Sequence, residues 1–457
     1  MPQGGRMRLL ELRPPRVAHA FAALALAFGT LWLLATPPFD APDEPRHLQR
    51  AWLLSQGRIA VPGSARGTGG AIPASLTRLH PPYTYGTSGC RHRSEELLAR
   101  LAIPLALERT SDEIRTPILY GPIGYLPQAL ALAPARWLGV NAGGVLYIAR
   151  LANLITWTGL CALAIGCAPA RRWALASAAL LPMSLFEAST VSGDAVTNAL
   201  ALLLLALVLR GASSASQRAT RWELAAILGV VALLGLGKPG YSLLALLTLA
   251  IGTHRFERAG QRRSFVAAAL ALGVVVPGAW WASVQQAGPF PYPNADPVEQ
   301  LAGLGRAPWR LLGVIATSLG ERAFDYVRGT IGVLGRLDVM LPSAAYLGYG
   351  LLLAVVALTD RSGAPRLARR ARAVVGLVAV VGAAAIVALL YVSATPPGAA
   401  RVTAVQGRYF LPFVPLGLVA LPTLREFRPA AGWGLVVGWG AGLAATSYAI
   451  WLRYYGV

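Results

Sequence analysis

The sequence predicts an all-α polytopic membrane protein. Hydrophobic residues make up 55% of the 457-residue chain and charged residues only 13%, whereas a soluble domain carries about 25% charged residues. Long apolar runs recur along the whole chain, and the basic residues fall in short clusters between these runs. A single membrane-embedded domain over residues 1–457 accounts for these observations, and no internal repeat is evident.

The strongly basic balance points to membrane topology and not to a nucleic-acid partner. The net charge is +21, and Lys238 is the only lysine among 41 basic residues. The arginines cluster at the ends of apolar runs, which is how the orientation of membrane helices is encoded. The three cysteines give no disulfide framework. We therefore expect no nucleic acid, no disulfide bridge and no metal cluster.

The apolar runs predict about 11 transmembrane helices, within a range of about 10 to 13, because each crossing needs about 20 apolar residues. Several of the segments are shorter than that length. The candidate spans are 17–36, 145–168, 173–190, 194–210, 222–236, 240–253, 264–284, 343–358, 374–394, 409–423 and 431–453.

The positions of the arginines predict the orientation of these helices. The run 17–35 is long for the core of a signal peptide, so we expect a retained first helix with a cytoplasmic N-terminus. Alternating the spans from there places twenty arginines on the inner side. The short outer connections then hold only Lys238, Arg401 and Arg408. This asymmetry is the one that the positive-inside rule predicts for a cytoplasmic N-terminus.

Two large segments are predicted to lie on the outer face. The first, 37–143, would carry two interfacial helices at 45–57 and 118–138. The run 118–138 is apolar, but it contains three prolines, and a crossing there would move every later basic cluster to the outer side. The second outer segment is 285–342. Loops of this length usually carry function or are disordered.

The strongest candidate site follows the first predicted helix, in the stretch PPFDAPDEPRH. Asp40, Asp43, Glu44 and His47 lie within eight residues of one another there, beside the bilayer. A carboxylate in this place can act as a general base, and Asp40 with Asp43 can ligate a divalent cation. In the alternative interpretation these acids only cap and anchor the helix that begins near Pro45.

Two further charges stand at predicted outer helix ends. Asp194 occurs in VSGDAVTN, and acids at membrane depth tend to be functional. The alternative is that it caps the next helix, with Ser192 as a competitor for that position. Lys238 occurs in LGLGKPGY, beside Tyr241, where it can pair with an anionic group or extend to the interface as a helix-end anchor.

Arginines on the outer side run against the general bias and therefore predict anionic partners. Arg328 and Arg336 precede one span, and Arg408 with Tyr409 begins another in QGRYFLPFVP. A guanidinium can bind a phosphate in bidentate geometry. Ion pairs with the neighbouring Asp325 or Asp338 are the alternative for Arg328 and Arg336.

Aromatic residues concentrate in the first outer segment. They can stack on sugars, but they also form the aromatic belts that lie at membrane interfaces, and we favour the belt. These residues, with one neighbouring histidine, are His80, Tyr83, Tyr85, Tyr120 and Tyr125.

Six motifs in order resemble a bacterial family of predicted membrane proteins, domain of unknown function 2142. They are PPFDAPDEPRH, YGPIGYLP, SGDAVTN, KPGY, GTIGVLGRLD and QGRYFLP, and together they cover about residues 36–420. That family in turn resembles the GT-C glycosyltransferases, which use polyprenyl-phosphate-linked sugars on the outer face. Their hallmark is a first outer loop that carries acidic residues.

The resemblance implies a GT-C-like fold and particular roles for residues at matching positions. Asp43 and Glu44 would be the catalytic acids, with Asp43 the better candidate for the base. Asp194 would match a second outer-loop acid, and Arg408 would contact the donor phosphate. The use of a metal differs among GT-C families, so no cofactor is firmly implied, and a divalent cation stays open.

The function that we expect is sugar transfer from a polyprenyl-phosphate donor to a glycan or lipid acceptor of the cell envelope. Two alternatives stay open at this point. An envelope-glycan polymerase or ligase of another fold would depend on outer arginines and not on Asp43. A non-enzymatic transporter would place charges at the middle of the bilayer and often shows inverted repeats.

Overall fold

The structure is a computed structural model, and it describes most of the chain. The described residues are 16–59, 63–64, 67–68, 72–79, 94–107, 109–110, 120–135, 137–213, 217–284, 292, 294–360, 367–424 and 429–456. Within them the protein is mostly helical, with three short antiparallel strand pairs. The all-α class expected from composition is therefore confirmed.

The α-helices are numbered here along the chain. They are α1 Arg16–Ala35, α2 Glu44–Ser55, α3 Ala74–Thr77, α4 Ser94–Leu101, α5 Leu126–Leu132, α6 Ala142–Cys167, α7 Arg172–Ala179, α8 Pro182–Ser189, α9 Asp194–Ala212, α10 Arg221–Gly235, α11 Ala259–Val284, α12 Pro297–Arg306, α13 Trp309–Gly332, α14 Ser343–Thr359, α15 Arg369–Ala394, α16 Val414–Ala420 and α17 Pro429–Tyr454.

Tighter 3-10 helices and short strands complete the described structure. The 3-10 helices are Pro122–Tyr125, Pro239–Ala250, Thr253–Arg255 and Gly407–Phe413. The strands are β1 Gly63–Ser64, β2 Gly67–Thr68, β3 Ile72–Pro73, β4 Arg109–Thr110, β5 Val333–Leu334 and β6 Val339–Met340, paired β1 with β2, β3 with β4 and β5 with β6.

Local sequence explains where several of the helices begin. Asn141 precedes α6 and its side chain accepts a hydrogen bond from the amide of Gly144. Thr220 and Glu223 form a reciprocal capping box at the start of α10. Each of these side chains satisfies a backbone amide that has no partner within the first turn of a helix.

Six helices in the described residues are long and apolar enough to cross a membrane. They are Arg16–Ala35, Ala142–Cys167, Asp194–Ala212, Ala259–Val284, Arg369–Ala394 and Gly432–Tyr454. Three shorter apolar helices accompany them, namely Pro239–Ala250, Ser343–Thr359 and Gly407–Ala420. A membrane protein with several apolar helices is therefore confirmed, but a count of about eleven crossings is not.

Two of the predicted spans that fall short of a crossing are broken by the backbone. The span 173–190 is divided into α7 and α8, and Pro182 begins the second piece. Each piece has eight residues, which is about 12 Å of helix, against about 30 Å of hydrocarbon. The span 409–423 is likewise divided into a 3-10 helix and the seven-residue α16.

The two segments expected outside the bilayer contain helices. α2 covers nearly the whole of the expected helix 45–57. Among the described residues of 118–138, residues 122–132 are helical, first as a 3-10 helix and then as α5. The segment 285–342 holds α12 and the 24-residue α13, neither of which was predicted. The sides of the membrane on which these segments lie stay a prediction.

The core is built around α9, which is buried nearly all round. It packs against α6, α8, α10 and the 3-10 helix Pro239–Ala250. A second apolar cluster joins α2 and α5 to the first turns of α6, with Trp52, Tyr125 and Leu146 fully or almost fully buried. We name the end of the bundle where α1 ends, at Ala35, and α9 begins, at Asp194, the site end.

Candidate functional site

Four charged residues from distant parts of the chain converge at the site end. Arg408 Nη2 lies 2.9 Å from Asp43 Oδ2, and Arg408 Nη1 lies 3.9 Å from Asp194 Oδ2. Lys238 Nζ forms an ion pair with Asp194 Oδ1. The sequence singled out all four residues separately, and the tertiary structure brings them into one cluster.

Asp43 is the member of the cluster that remains half-exposed. Its side chain is 42% accessible, whereas that of Arg408 is 4% accessible. Asp43 occupies the position before α2 with a positive φ of 58°, and its carboxylate makes no cap hydrogen bond. Aspartate adopts this left-handed conformation more readily than most residues. The backbone therefore points the carboxylate at Arg408 instead of at the helix, contrary to the capping alternative.

A buried ion pair beneath Asp43 holds this turn in place. Arg150 of α6 donates to both carboxylate oxygens of Glu44, at 2.8 and 2.7 Å. It also donates to the carbonyls of Leu33, Thr36 and Pro37. Glu44 in turn accepts from the amides of Phe39 and Val191. Both partners are fully buried, so this ion pair fixes the backbone turn next to Asp43.

Lys238 and Asp194 face each other across the site end. Asp194 is the first residue of α9, and its amide donates to the hydroxyl of Ser192, so Asp194 does not cap the helix. Lys238 precedes a 3-10 helix, and its ammonium lies 4.5 Å from the ring centroid of Tyr120 and 5.5 Å from that of Tyr409. The two aromatic rings therefore help to stabilise this buried cation.

Arg408 is fixed by close backbone packing. Gly407 lies against α13, where an added Cβ atom would approach backbone atoms of Tyr326, Gly329 and Thr330 to 2.5 Å. Thr330 also donates its hydroxyl to the carbonyl of Gly407. Only glycine fits this approach, which sets the direction of the next side chain.

The guanidinium of Arg408 has a further partner besides the carboxylates. Its Nε donates to the side-chain oxygen of Gln406 at 2.7 Å. Tyr241, which the sequence placed beside Lys238, donates its hydroxyl to the carbonyl of Tyr409 at 3.0 Å. Tyr241 and Tyr409 thus tie the two 3-10 helices together and hold Lys238 and Arg408 near each other.

His47 borders the cluster as a neutral group. Its Nδ1 lies 2.8 Å from the hydroxyl of Tyr125, and the ring is buried. Burial lowers the pKa of His47 to about 4, although the nearby Asp43 and Asp194 act in the opposite direction. At neutral pH the imidazole is therefore uncharged, and it adds no positive charge to the cluster.

The charges around Asp43 and Lys238 oppose the effect of their burial. Burial raises the pKa of Asp43, but the neighbouring cations, above all Arg408, outweigh it and hold this pKa below the usual value. Burial lowers the pKa of Lys238, but Asp194 outweighs it and holds the ammonium well above its usual pKa. Both residues are consequently charged at neutral pH.

Asp40 and Arg336 form a separate ion pair. Arg336 Nε lies 3.0 Å from Asp40 Oδ1, and it also donates to the carbonyl of Phe39. The expected alternative partner Asp338 accepts the backbone amide of Arg336 and pairs with Arg453. Asp40 therefore fixes the same turn from its other side and faces a different arginine from Asp43.

Arg328 lies outside the cluster. Its guanidinium lies over the rings of Phe324 and Tyr346, at 5.4 and 5.3 Å from their centroids. Asp325, the alternative partner, pairs instead with Arg322 at 3.7 Å. These contacts account for Arg328 through its own helix and its neighbour α14.

The expected divalent cation finds no support in these contacts. Asp40 and Asp43 are engaged by different arginines. Within the residues that the structure describes, no group of three or more His, Cys, Asp or Glu side chains could hold a metal ion. Of the cysteines, Cys161 and Cys167 are free thiols, and Cys90 lies outside the described residues, as do His80, Tyr83 and Tyr85.

Two charged residues that matter here were missed in the sequence. Arg150 lies within the apolar run YIARLANL, and Glu187 within SLFEAST. Glu187 is buried, and its Oε1 lies 4.0 Å from Arg408 Nη1. A single charge inside an apolar run was the available signal, since such a charge is costly and usually faces a partner inside the bundle.

The fold and this cluster define a polytopic helical membrane protein with a buried charge network at one end of its bundle. The sequence profile of a family described as predicted membrane protein (DUF2142) matches residues 26–417. The chain therefore belongs to this family of membrane proteins of unknown function. No curated protein and no solved structure matches the chain.

Proposed function

We propose that the protein is a membrane glycosyltransferase that moves a sugar from a polyprenyl-phosphate donor to a cell-envelope acceptor. The reaction would take place on the outer face of the bacterial cytoplasmic membrane. One observation carries the proposal: a half-exposed carboxylate, Asp43, stands 2.9 Å from the buried guanidinium of Arg408 and beside a second buried cation, Lys238.

The two cations suit the phosphate of a lipid-linked sugar. Arginine binds phosphate oxygens in bidentate geometry, and lysine adds a point charge. Both side chains are at least nine-tenths buried, so their attraction for an anion is screened less than it would be in water. The rings of Tyr120 and Tyr409 lie against Lys238 and help to hold its ammonium where it would meet that phosphate.

The transfer needs one base and one stabilised leaving group. Asp43 would take the proton of the acceptor hydroxyl while the hydroxyl oxygen forms a bond to the anomeric carbon. The bond from that carbon to the phosphate oxygen breaks, and its electron pair leaves with the lipid phosphate. Arg408 and Lys238 would stabilise the added charge on that phosphate. The sugar is already activated, so no nucleotide is needed.

Donor binding would also prepare the base. In the free protein, the charge of Arg408 helps to hold the pKa of Asp43 below its usual value, and such a carboxylate is a weak base. A phosphate that engages Arg408 competes directly with Asp43 for this guanidinium. The carboxylate then loses the partner that depresses its pKa and becomes a stronger base when the donor is in place.

Glu44 and Asp40 have supporting roles in this proposal. The sequence presents both as catalytic candidates, but Glu44 is fully buried against Arg150 and Asp40 is paired with Arg336. We assign both to positioning the turn that carries Asp43. This leaves Asp43 as the catalytic carboxylate of the first loop.

The test is a transfer assay with purified protein in liposomes that contain a pool of polyprenyl-phosphate sugars. Asp43→Asn keeps the size of the side chain and removes the base, so the transfer rate should fall by about 100-fold or more. Asp325→Asn is the matched control, since Asp325 is 59% exposed on α13 and pairs with Arg322. A wild-type rate for Asp43→Asn would rule out the proposed base.

A second variant separates this proposal from an enzyme that depends on arginine alone. Arg408→Gln removes the phosphate contact, so it should raise the KM for the donor as well as lower the rate. A polymerase or ligase of another kind would lose activity in Arg408→Gln and keep it in Asp43→Asn. A transporter would move a substrate across the liposome and form no glycosidic bond.

A further inference from the structure

Glu187 is a buried carboxylate at the site end that, among the described residues, has no cation within hydrogen-bond distance. Lys238 is paired with Asp194, and Arg408 is paired with Asp43 at 2.9 Å. Glu187 is a third carboxylate in the same cluster, only 2% exposed. Its nearest cation atom, Arg408 Nη1, lies at 4.0 Å, beyond hydrogen-bond distance. Each cation therefore already has a closer carboxylate partner.

The surroundings of Glu187 also fit a protonated acid. Its Oε2 accepts a hydrogen bond from Asn198 Nδ2 at 2.9 Å. Its Oε1 is buried and has no hydrogen-bond donor in the part of the chain that the structure describes. The ionisable groups that face Glu187 from the other elements are Asp194, Lys238, Arg408 and Tyr241.

A buried carboxylate without a cation of its own is costly. The penalty of burying a charge amounts to several kcal/mol, and a group in this situation normally takes up a proton instead. Repulsion from Asp194 adds to that penalty because like charges that share a site disfavour ionisation of both. A proton on Oε1 would also give this oxygen a hydrogen to donate within the cluster.

We propose that Glu187 holds a proton in the resting protein, and that this proton is required for a phosphodiester to bind at Arg408 and Lys238. Glu187 is then a pH-dependent gate for the site. Loss of the proton adds a negative charge about 4.0 Å from the guanidinium that the phosphate needs.

The direction of the pH effect follows from linkage. The complex with the phosphodiester holds the proton on Glu187, whereas the free protein releases it at high pH. Affinity is therefore constant at low pH and falls as the pH rises past the point of deprotonation, by about tenfold per pH unit for one proton. The inference depends on the proposed function only in its choice of ligand.

The first experiment detects the proton without any ligand. Infrared spectra of the purified protein at neutral pH should show the carbonyl band of a protonated carboxylic acid. This band should be absent in Glu187→Gln and present in Glu223→Gln. Glu223→Gln is the control because it removes a carboxylate outside the cluster, one that pairs with Arg210 and Arg255. Equal spectra for the wild type and Glu187→Gln would overturn the proposal.

The second experiment measures binding of a prenyl methyl phosphodiester to protein in detergent. This ligand carries one negative charge that does not titrate between about pH 6 and pH 9. The wild type and Glu223→Gln should lose affinity as the pH rises, whereas Glu187→Gln, which is permanently neutral, should bind equally at all pH values. A flat wild-type profile, or the same slope in Glu187→Gln, contradicts the gate.

The outcomes separate this inference from the proposed function. A pH-dependent affinity that disappears in Glu187→Gln, in a protein that transfers no sugar, supports the gate and rejects the transferase. If Glu187→Gln fails to fold, Glu187→Asp provides the second variant, because the acid band should then shift in frequency. In the wild type this band should vanish over the same pH range in which binding weakens; disappearance at a different pH overturns the coupling.

Discussion

Arg150 shows how much of the site end depends on one side chain. It donates to three backbone carbonyls and to both oxygens of Glu44, and it is fully buried. The turn that it holds contains two non-glycine residues with positive φ, Phe39 at 65° and Asp43 at 58°. Such backbone conformations persist only where the surroundings impose them. The orientation of Asp43 therefore depends on an arginine that lies far away in sequence.

Removing Arg150 should be strongly destabilising. Arg150→Met leaves the carboxylate of Glu44 buried without its cation, which we expect to lower the free energy of unfolding by about 3 to 5 kcal/mol. Arg322→Met is the control, since Arg322 is 44% exposed and pairs weakly with Asp325; it should cost less than about 1 kcal/mol. Denaturant unfolding in detergent gives both values. Equal costs would contradict the role of Arg150.

His47 gives the stability a pH dependence. In the unfolded chain its pKa is 6.5, whereas in the folded protein burial lowers this pKa to about 4. Between these values the unfolded state binds more protons, so the free energy of unfolding falls as the pH is lowered, by about 3 kcal/mol in all. Above pH 6.5 His47 contributes no slope.

The measurement for His47 is the midpoint of thermal unfolding in buffers from neutral pH to about pH 4. The wild type should lose stability over this window. His47→Gln, which can still hydrogen-bond to Tyr125, should show a shallower slope. A wild-type stability that rises on acidification would contradict the assignment of a buried neutral imidazole.

At the scale of elements, the site depends on helices that are broken or tightly wound. α8 ends just before α9 begins, and the short connection between them contains Ser192 and Gly193. The 3-10 helix Pro239–Ala250 starts directly after Lys238, and Arg408 is the second residue of the 3-10 helix Gly407–Phe413. These breaks bring side chains from helix ends into the bundle, where continuous helices would present apolar faces.

The contact of Gly407 with α13 offers a test at this scale. In Gly407→Ala the added Cβ would approach the backbone of Gly329, Thr330 and Tyr326 to about 2.5 Å, so the two helices must separate. We expect a loss of about 1 to 3 kcal/mol of stability, as for other overpacked sites. Transfer activity should fall as well, because Arg408 would move with Gly407.

Gly417→Ala is the matched control for this contact. A Cβ at Gly417 would meet nothing within 4 Å, so this variant should keep the stability and activity of the wild type. Unfolding midpoints and transfer rates of the two variants can be compared directly. If Gly407→Ala behaves like Gly417→Ala, the close packing against α13 does not set the position of Arg408.

For the whole molecule, the orientation in the membrane is the property that the proposed function requires. The predicted topology places Arg58 outside and Arg258 inside, and both residues are exposed. In a background without the three native cysteines, Arg58→Cys should react with an impermeant thiol reagent on intact cells. Arg258→Cys should react only after the cells are permeabilised. The reverse pattern would place the site end in the cytoplasm.

The sequence by itself determined the class of protein and most of its helices. All eleven candidate spans contain helix, because runs of apolar residues report directly on the need to satisfy backbone groups within a bilayer. It also identified Asp43, Asp194, Lys238 and Arg408 as unusual, since a charge beside an apolar run is costly and therefore informative. It could not determine which of these charges meet.

Only the tertiary structure decided the pairing. Asp43 and Arg408 are 365 positions apart, and no local pattern relates them. The same limit applies to Glu44, because no local pattern reports that its carboxylate is buried against Arg150. Charge pairing depends on distances and burial among helix ends that are remote in sequence. Periodicity reports the direction in which a helix faces, but it does not report the partner that the helix meets.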